Sequence, residues 1–589
     1  MSGWSAPTQD TLFVLNDVLK ITESDLRGYD QLDEDIVQAV VEGMGKFCGE
    51  VLAPLNPVSD AQGCTRHEDG SVSTPEGFRE AYAQLIDSGW NTIAMPEEFG
   101  GQGMGHVLGT VFEEYMNSAC ASFMMYPGIV GGATSTIISA GSDALKEAYV
   151  EKIVSGEYLA TMALTEGHAG TDLGLMRTKA QPQDDGSFAI TGEKIFISGG
   201  EHDLTENIVH LVLAKLPDAP AGSRGISLFL VPKILPDGTR NAVSCASIEH
   251  KMGLNGSATC VMNFDGAMGW LLGKEHGGLA AMFIMMNAAR LAVGVQGLAH
   301  AEHSYQRAAA YALERKQGRG MGERPDPSAA ADSLLVHPDV RRMLMRQKVL
   351  NEGMRALALF AGHQLDLSVA HPDETVRESA DDLVQLLTPV VKSFLTDEGF
   401  NNANTGLQVL GGSGFTTDWP LEQLVRDGRI ARIYEGTNGI QAMDLVGRKL
   451  SLKGGQLVRT LFGTLSGYLK DNPEAPHREE LKNAMKALET ATMWLATNAP
   501  KDPEQAGAAA TPYLRLMALT VIGYLWSRMA NVANEQLASG EGNKPLLESK
   551  VVSARFYFEK LLPEVDWLLG DIQSGKDSLM AFSDDHWAA

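Results

Sequence analysis

The chain has 589 residues, 44% hydrophobic and 21% charged, an ordinary globular composition with length enough for three or four packed units. A disordered tail and a small disulfide scaffold are excluded. Its 48 basic and 74 acidic residues leave a formal net charge of −26, a surface that repels phosphate backbones and anionic lipid, so neither nucleic acid nor a membrane is expected as a partner.

The first residues, MSGWSAPTQDTLFVLNDVLK, lack the basic flank, apolar run and small-residue cleavage site of a secretory signal, and no export is expected. From about 34 to 160 apolar residues recur at three and four, as in Ile36, Val37, Val40 and Val41 and again in Phe78, Tyr82, Leu85 and Ile86, which predicts helices. Glycine-rich breaks at 96–105 and 126–132 divide them. Between about 175 and 265 the period changes: RTKAQ, FAITGEKIFIS, NIVHLVLAKL, GISLFLVPK and ATCVMNF are short runs rich in β-branched and aromatic residues, bounded by turn residues such as PQDDGS. These predict a small β domain.

Helical periodicity returns near 278 and runs to about 450, broken by 317–338, a polar stretch rich in Gly and Pro that is expected as an exposed loop. The apolar stretch from Leu279 is interrupted by Asn287, Arg290 and Gln296, so a buried helix is expected rather than a membrane span. Beyond Gly454 and Gly455 come a helix with Leu481, Ala484, Met485, Leu488, Thr492 and Leu495 on one face and two further helices at 513–537 and 546–569. The fold class is α+β: an N-terminal helical domain (1–160), a middle β domain (161–277), a C-terminal helical bundle (278–452) and an extra helical extension (453–589).

Cys48, Cys64, Cys120, Cys245 and Cys260 fall at wide spacings with no CxxC pair and no Cys/His cluster, which reads as a reduced cytoplasmic protein without a metal site. No GxGxxG follows a strand, and Gly273-Lys274 continues into Glu275 where a P-loop needs Ser or Thr. With HExxH and GxSxG also missing, nicotinamide binding, nucleotide hydrolysis, zinc proteolysis and a nucleophile elbow lose their anchors.

Two distant segments carry more. ALTEGHAGTDLGL (163–175) offers small hydroxyl side chains and unhindered backbone N–H groups suited to a polar or phosphorylated ligand; read alone, it is a Gly/Asx turn. QVLGGSGFTTDWPLEQLVRDGRIARIYEGTNGIQAM (408–443) holds a glycine cluster, a helix with Arg426, Arg429 and Arg432 spaced at three, a break and another helix. Glu435, at that break, is by itself a capping or solvated carboxylate.

Together, in this order and on either side of a β domain, the two segments resemble the acyl-CoA dehydrogenase family over about residues 40–450. FISGG (196–200) resembles the family's aromatic segment beside the flavin ring, and ALERKQGRG (312–320) the helix whose arginine, here Arg315, reaches the FAD pyrophosphate of the neighbouring subunit. The resemblance implies an oxidoreductase acting on a CH–CH bond of an acyl-CoA, with FAD as cofactor and Glu435 as the base that removes the α-proton. Carried over residue by residue, it implies FAD contacts from Met162, Leu164, Thr165, Gly170 and Thr171, from Phe196 and Ser198, from Arg315, from Gln408, Gly411 and Gly412, and from Thr437. It implies substrate contacts from Gly436, whose lack of a side chain permits close approach, and from Asn287 and Arg290, although Arg290 reads equally as a buttress of its apolar helix.

Several positions depart from the family pattern. Phe196 stands where tryptophan is frequent, Gly318 where phenylalanine is, and Asn287 where some relatives are acidic, while Leu175 and Gln423 miss the usual small and basic residues. The family's reaction needs a carboxylate base at Cα and donors for the thioester oxygen, which the resemblance assigns to the Glu435 N–H and a ribityl hydroxyl of FAD. Expulsion of water by the acyl chain would strengthen that base. An electron-transfer flavoprotein is the implied acceptor, with oxygen as the alternative.

Length and extension are most similar to family members of bacterial dimethylsulfoniopropionate demethylation that act on 3-(methylthio)propanoyl-CoA; short straight-chain substrates such as butanoyl-CoA stay open. Met282, Met285 and Met286 read as core filling rather than thioether contacts. A flavin-bearing DNA-binding relative would need a basic face, and 456–589 carries 13 basic against 17 acidic residues. A silent scaffold holding FAD is the other rival. The extension is expected to cover the surface through which shorter relatives form tetramers, leaving a homodimer.

Overall fold

In the computed structural model, which describes residues 4–27, 29, 32–322 and 326–588, the change of apolar period at the end of the first helical block marks the point where helices give way to a sheet. The chain forms two units, Lys46–Ala292 and Met1–Gly45 with Val293–Ala589.

In the first unit, helices Phe78–Asp87, His106–Met124, Val130–Ala140 and Asp143–Val154 precede the sheet, and a two-residue hairpin pairs β1 (Thr65–Arg66) with β2 (Val72–Ser73). Seven strands follow: β3 (Tyr158–Ala163), β4 (Lys179–Pro182), β5 (Phe188–Ser198), β6 (Asn207–Lys215), β7 (Ile226–Pro232), β8 (Val243–Ile248) and β9 (Thr259–Leu272), in the order β3-β6-β4-β5-β9-β7 with β8 on β9. Pairing of β6 with both β4 and β7 closes β4, β5, β9, β7 and β6 into a ring. All of β7 and eight residues of β6 are buried, which is why NIVHLVLAK and ISLFLVP read as unbroken apolar runs rather than alternations.

The five strands read from the sequence are present, and β9 runs on to Leu272. The sequence reading lacked β8 and β3; YLATMA carries little β-branched signal and becomes a strand by pairing in parallel with β6.

The second unit is helical. Gly278–Glu314, Pro338–Ala370 and Glu374–Leu410 are followed by the extension helices Gln456–Asp471, Arg478–Asn498, Pro503–Ser539, Lys544–Phe556 and Glu564–Ser574. Asp373 and Asp502 cap two of them by accepting from the N–H groups of Thr375 (2.8 Å) and Glu504 (3.1 Å). Two residues set the seam between Gly278–Glu314 and Glu374–Leu410: a Cβ on Gly297 would lie 2.5 Å from the Leu395 carbonyl oxygen, and one on Gly399 2.2 Å from that of Gly297. The helices meet backbone to backbone there.

Three expectations change. The stretch 546–569 is two helices, because Leu562 and Pro563 interrupt it. Among the described residues two helices are long and apolar enough to cross a membrane; the apolar window of Pro503–Ser539 is 78% buried but that of Gly278–Glu314 only 39%, so the latter is less sunk than its sequence suggests. The first 45 residues associate with the C-terminal helices rather than with the helices that follow them. A buried ion cluster links them, alongside buried apolar side chains such as Phe13, Val14 and Leu15. Asp10 pairs with Arg355 and Lys550; Lys550 also meets Glu352 at 2.9 Å, and Arg355 meets Glu302 at 3.0 Å. All five side chains are buried, so N-terminal segment, bundle and extension share one set of charges.

Candidate active site

In the first unit, β3 ends at Ala163 and the 164–175 loop is pinned from beneath. The buried Glu166 carboxylate accepts from the N–H groups of Arg177 (2.7 Å) and Thr178 (3.0 Å), from Thr178 Oγ1 (2.6 Å) and from Lys194 Nζ (2.9 Å). Lys194, fully buried on β5, also donates to the Leu164 carbonyl at 2.9 Å, and the Ile195 N–H donates to the Thr165 carbonyl at 2.9 Å. Burial pushes Glu166 up, but Lys194, Thr178 and the amides overcome it and hold the carboxyl at about 2. Burial lowers Lys194 to about 8, with Glu166 opposing.

What this pinning presents outward is polar and small. Gly170 and Thr171 are exposed, and a Cβ on Gly167 or Gly170 would meet nothing. Thr165 and Met162 are half-buried and Leu164 is buried. On β5 the register against β9 shifts between Lys194 and Ile197, and this bulge leaves Phe196 at φ +60° with its side chain 60% exposed. Ser198 stands opposite Thr259. Farther on, Arg290 is buried with its guanidinium 6.0 Å from the Phe283 ring centroid, and Asn287 is exposed. Met282 and Met285 are core.

In the second unit, Arg315 is exposed where Gly278–Glu314 ends, and its carbonyl accepts from the Leu334 N–H at 3.0 Å. The following loop is folded on itself rather than simply solvated: Arg319 pairs with buried Asp332 at 3.5 Å, and the Gly320 N–H donates to the same carboxylate at 2.8 Å. Residues 323–325 of that loop lie outside the described residues. Gln408 is exposed on the last turn of Glu374–Leu410; Gly411 at φ +59° ends the helix, and a Cβ there or on Gly412 would meet nothing.

The arginine-bearing helix is Leu421–Gly428, followed by a 3₁₀ turn, Ile430–Arg432, and then by Asn438–Asp444. Arg426 pairs with Glu422, Arg432 with Asp397 at 2.5 Å, and Arg429 and Arg432 lie over the Phe400 ring. These arginines brace the turn 433–437. Tyr434, next to Glu435, donates its hydroxyl to Gln296 at 2.5 Å, and burial followed by the Glu435 charge pushes its phenol up. Glu435 is half-buried at φ +56°, a left-handed backbone that costs a non-glycine residue about 1–3 kcal/mol. Gly436 follows at φ +78°, and Thr437 is exposed with Oγ1 donating to the Arg432 carbonyl at 3.2 Å.

Thus the structure groups Thr165, Gly170, Thr171 and the Phe196 bulge in one unit, and places Glu435, Gly436 and Thr437 on one braced turn in the other. Sequence reasoning passed over Lys194, Lys392 and Gln441, whose carbonyl and carboxylate partners hold these two segments. For Lys194 a signal existed: it takes an inward position in the alternation of β5, where a cation needs a carboxylate. Within the first unit, the open glycine backbone at Gly167 and Gly170 and the outward Phe196 ring fit a cofactor with a flat ring and a polar phosphate arm, as FAD has. Lys194→Met should leave Glu166 with three donors but no cation; tenfold or greater FAD loss on gel filtration, with the fold retained, is the expected result, on the order of 1.4 kcal/mol.

Comparison with known proteins identifies the family. Family models match in sequence order: acyl-CoA dehydrogenase N-terminal domain at 38–157, middle domain at 161–267, C-terminal domain at 276–450, and acetyl-CoA dehydrogenase C-terminal like at 461–583. A 3-methylmercaptopropionyl-CoA dehydrogenase of Ruegeria pomeroyi is 41% identical over 98% of this chain and 100% of its own length. A butyryl-CoA dehydrogenase of Syntrophomonas wolfei is 33% identical over 90% of each chain. Among solved structures, the fold is similar to an acyl-CoA dehydrogenase complexed with FAD from Bacillus anthracis, with TM-score 0.73 and 20% identity over 97% of this chain and 92% of that one. The chain belongs to the acyl-CoA dehydrogenase family of FAD-dependent oxidoreductases.

Proposed function

We propose that the chain desaturates 3-(methylthio)propanoyl-CoA between Cα and Cβ to 3-(methylthio)acryloyl-CoA, with Glu435 as the base. The observation that carries this reading is the 41% identity, extension included, to the Ruegeria pomeroyi dehydrogenase named for that substrate. The reaction removes a proton from Cα and a hydride from Cβ. Glu435 takes the proton on its carboxylate, and its N–H donates to the thioester oxygen as charge gathers there. Met162, Leu164, Thr165, Gly170, Thr171, Phe196, Ser198, Gln408, Gly411, Gly412 and Thr437 are the residues the family resemblance assigns to hold FAD, with Arg315 reaching the FAD of a neighbouring subunit. When bound, FAD supplies the acceptor for the hydride.

Likeness to the Syntrophomonas wolfei butyryl-CoA dehydrogenase supports a second reading, in which butanoyl-CoA is the better substrate. The methylthio compound is longer by one chain atom, a sulfur inserted between Cβ and the terminal methyl, and a hydrophobic pocket discriminates a group of that size by about 1–3 kcal/mol. Anaerobic bleaching of the flavin by a panel of short acyl-CoAs tests both: the methylthio compound is expected to give the highest kcat/KM, and a tenfold preference for butanoyl-CoA reverses the assignment. We also infer a cytoplasmic homodimer passing electrons to an electron-transfer flavoprotein; turnover with oxygen as sole acceptor at a comparable rate contradicts the last point.

A further inference from the structure

Both carbonyl groups leaving the Glu435 turn are held by side chains from elsewhere in the second unit. Gln441 Nε2 donates to the carbonyl of Glu435 at 3.0 Å and to that of Gly436 at 3.2 Å. Lys392 Nζ donates to the Gly436 carbonyl at 2.8 Å and to Asn438 Oδ1 at 2.8 Å. Asn438 is fixed in turn, its Nδ2 donating to the Ser393 carbonyl at 3.2 Å and to Thr396 Oγ1 at 3.0 Å. Lys392, Ser393 and Thr396 sit on one face of Glu374–Leu410, next to the Gly297–Gly399 seam that anchors this helix.

Lys392 is fully buried. An ammonium out of water is costly, and packing alone would be served as well by methionine or leucine. What a cation adds is a charge-assisted bond, roughly twice as strong as a neutral one, to whatever carbonyl it meets. Here that carbonyl belongs to the residue after Glu435, where two successive positive φ angles would otherwise relax.

We propose that Lys392 is a positioning residue for Glu435: its ammonium, seconded by Gln441 and Asn438, locks the 435–438 turn in its left-handed form and so sets where the carboxylate and the Glu435 N–H point. It moves no proton itself. The inference rests on the reading of Glu435 as the base, and the test separates the two.

The test compares the FAD-loaded full chain with Lys392→Met, which keeps side-chain length and removes the donor. A misdirected base is expected to lower kcat about 10–100-fold, with KM for the acyl-CoA within about twofold and a larger deuterium isotope effect at Cα, because proton removal becomes slower. In the FAD-free chain, amide hydrogen exchange across 435–441 should accelerate about tenfold while Pro503–Ser539 is unchanged, as for a local opening. In a Glu435→Gln background Lys392→Met should add almost nothing, since the two act through one group. Unchanged kcat, an unchanged isotope effect or unchanged exchange at 435–441 overturns the proposal. If Lys392→Met does not fold, Gln441→Met, which removes neutral donors from the same two carbonyls, must give the same pattern at smaller size, and its absence is equally fatal. A wild-type chain that oxidises no acyl-CoA sinks the role of Glu435, while faster exchange in the variant still upholds the clamp.

Discussion

Replacing Glu435 by glutamine should lower kcat about a thousandfold, within the 10²–10⁴ range that a positioned general base contributes, while FAD content and acyl-CoA affinity change less than about threefold. The substitution preserves shape: the side chain stays half-buried on a turn whose backbone carbonyls accept from Gln441 and Lys392. On the proposed reading, the substitution removes the capacity to accept the α-proton. The measurement is anaerobic flavin bleaching with 3-(methylthio)propanoyl-CoA in a stopped-flow instrument, alongside the flavin-to-protein absorbance ratio. A variant that keeps a tenth of wild-type rate at normal flavin content removes Glu435 from the reaction.

The second large effect concerns stability. Lys550→Met is expected to destabilise the second unit by about 3–5 kcal/mol, the range for stranding a buried ion pair. It would leave both Asp10 and Glu352 inside without their shared cation. Urea unfolding followed by tryptophan fluorescence reads this, since Trp526 lies against the cluster with Lys550 Nζ 5.5 Å from its ring. Adding Asp10→Asn should recover part of the loss, because the cluster then keeps one buried carboxylate fewer, Arg355 still meeting Glu302 and Glu352 still meeting Lys348.

The same cluster fixes a sign for acid. Burial opposes ionisation of Asp10, but Lys550 and Arg355 win and hold its carboxyl at about 2, below the unfolded value of 3.8. Its contribution, on the order of 2 kcal/mol, is therefore complete above about pH 4 and disappears as pH falls through about 2. Wild type should hold its fluorescence well below pH 4, and Lys550→Met should lose it at distinctly higher pH. Coincident acid profiles for the two proteins contradict the assignment.

Much of the fold was legible because burial imprints itself on apolar spacing. Strands β6 and β7 are buried on both faces and announced themselves as continuous runs, and the Leu481, Ala484, Leu488 and Leu495 stripe is the buried face of Arg478–Asn498. What stayed hidden depends on partners remote in sequence. Strand β3 exists because β6 lies beside it, and the N-terminal residues join the C-terminal helices where Asp10 finds Arg355 and Lys550. Glu435 was visible only through motif resemblance, since no local pattern distinguishes a base from a surface glutamate. Lys392 was invisible for the reciprocal reason: its acceptor is a backbone carbonyl 44 positions away, and carbonyls leave no mark on composition.

The charges of Asp10 and Lys550 are separated by 540 residues of chain. During synthesis the first unit is an uninterrupted segment that can close as it leaves the ribosome, whereas Asp10 waits, without Lys550, until the extension helices have been made. Entropy penalises such a long wait only logarithmically. A chain stopped short of Lys550 would leave Asp10 and the bundle surface around it exposed, so this buried pairing can close only after 540 further residues have been made.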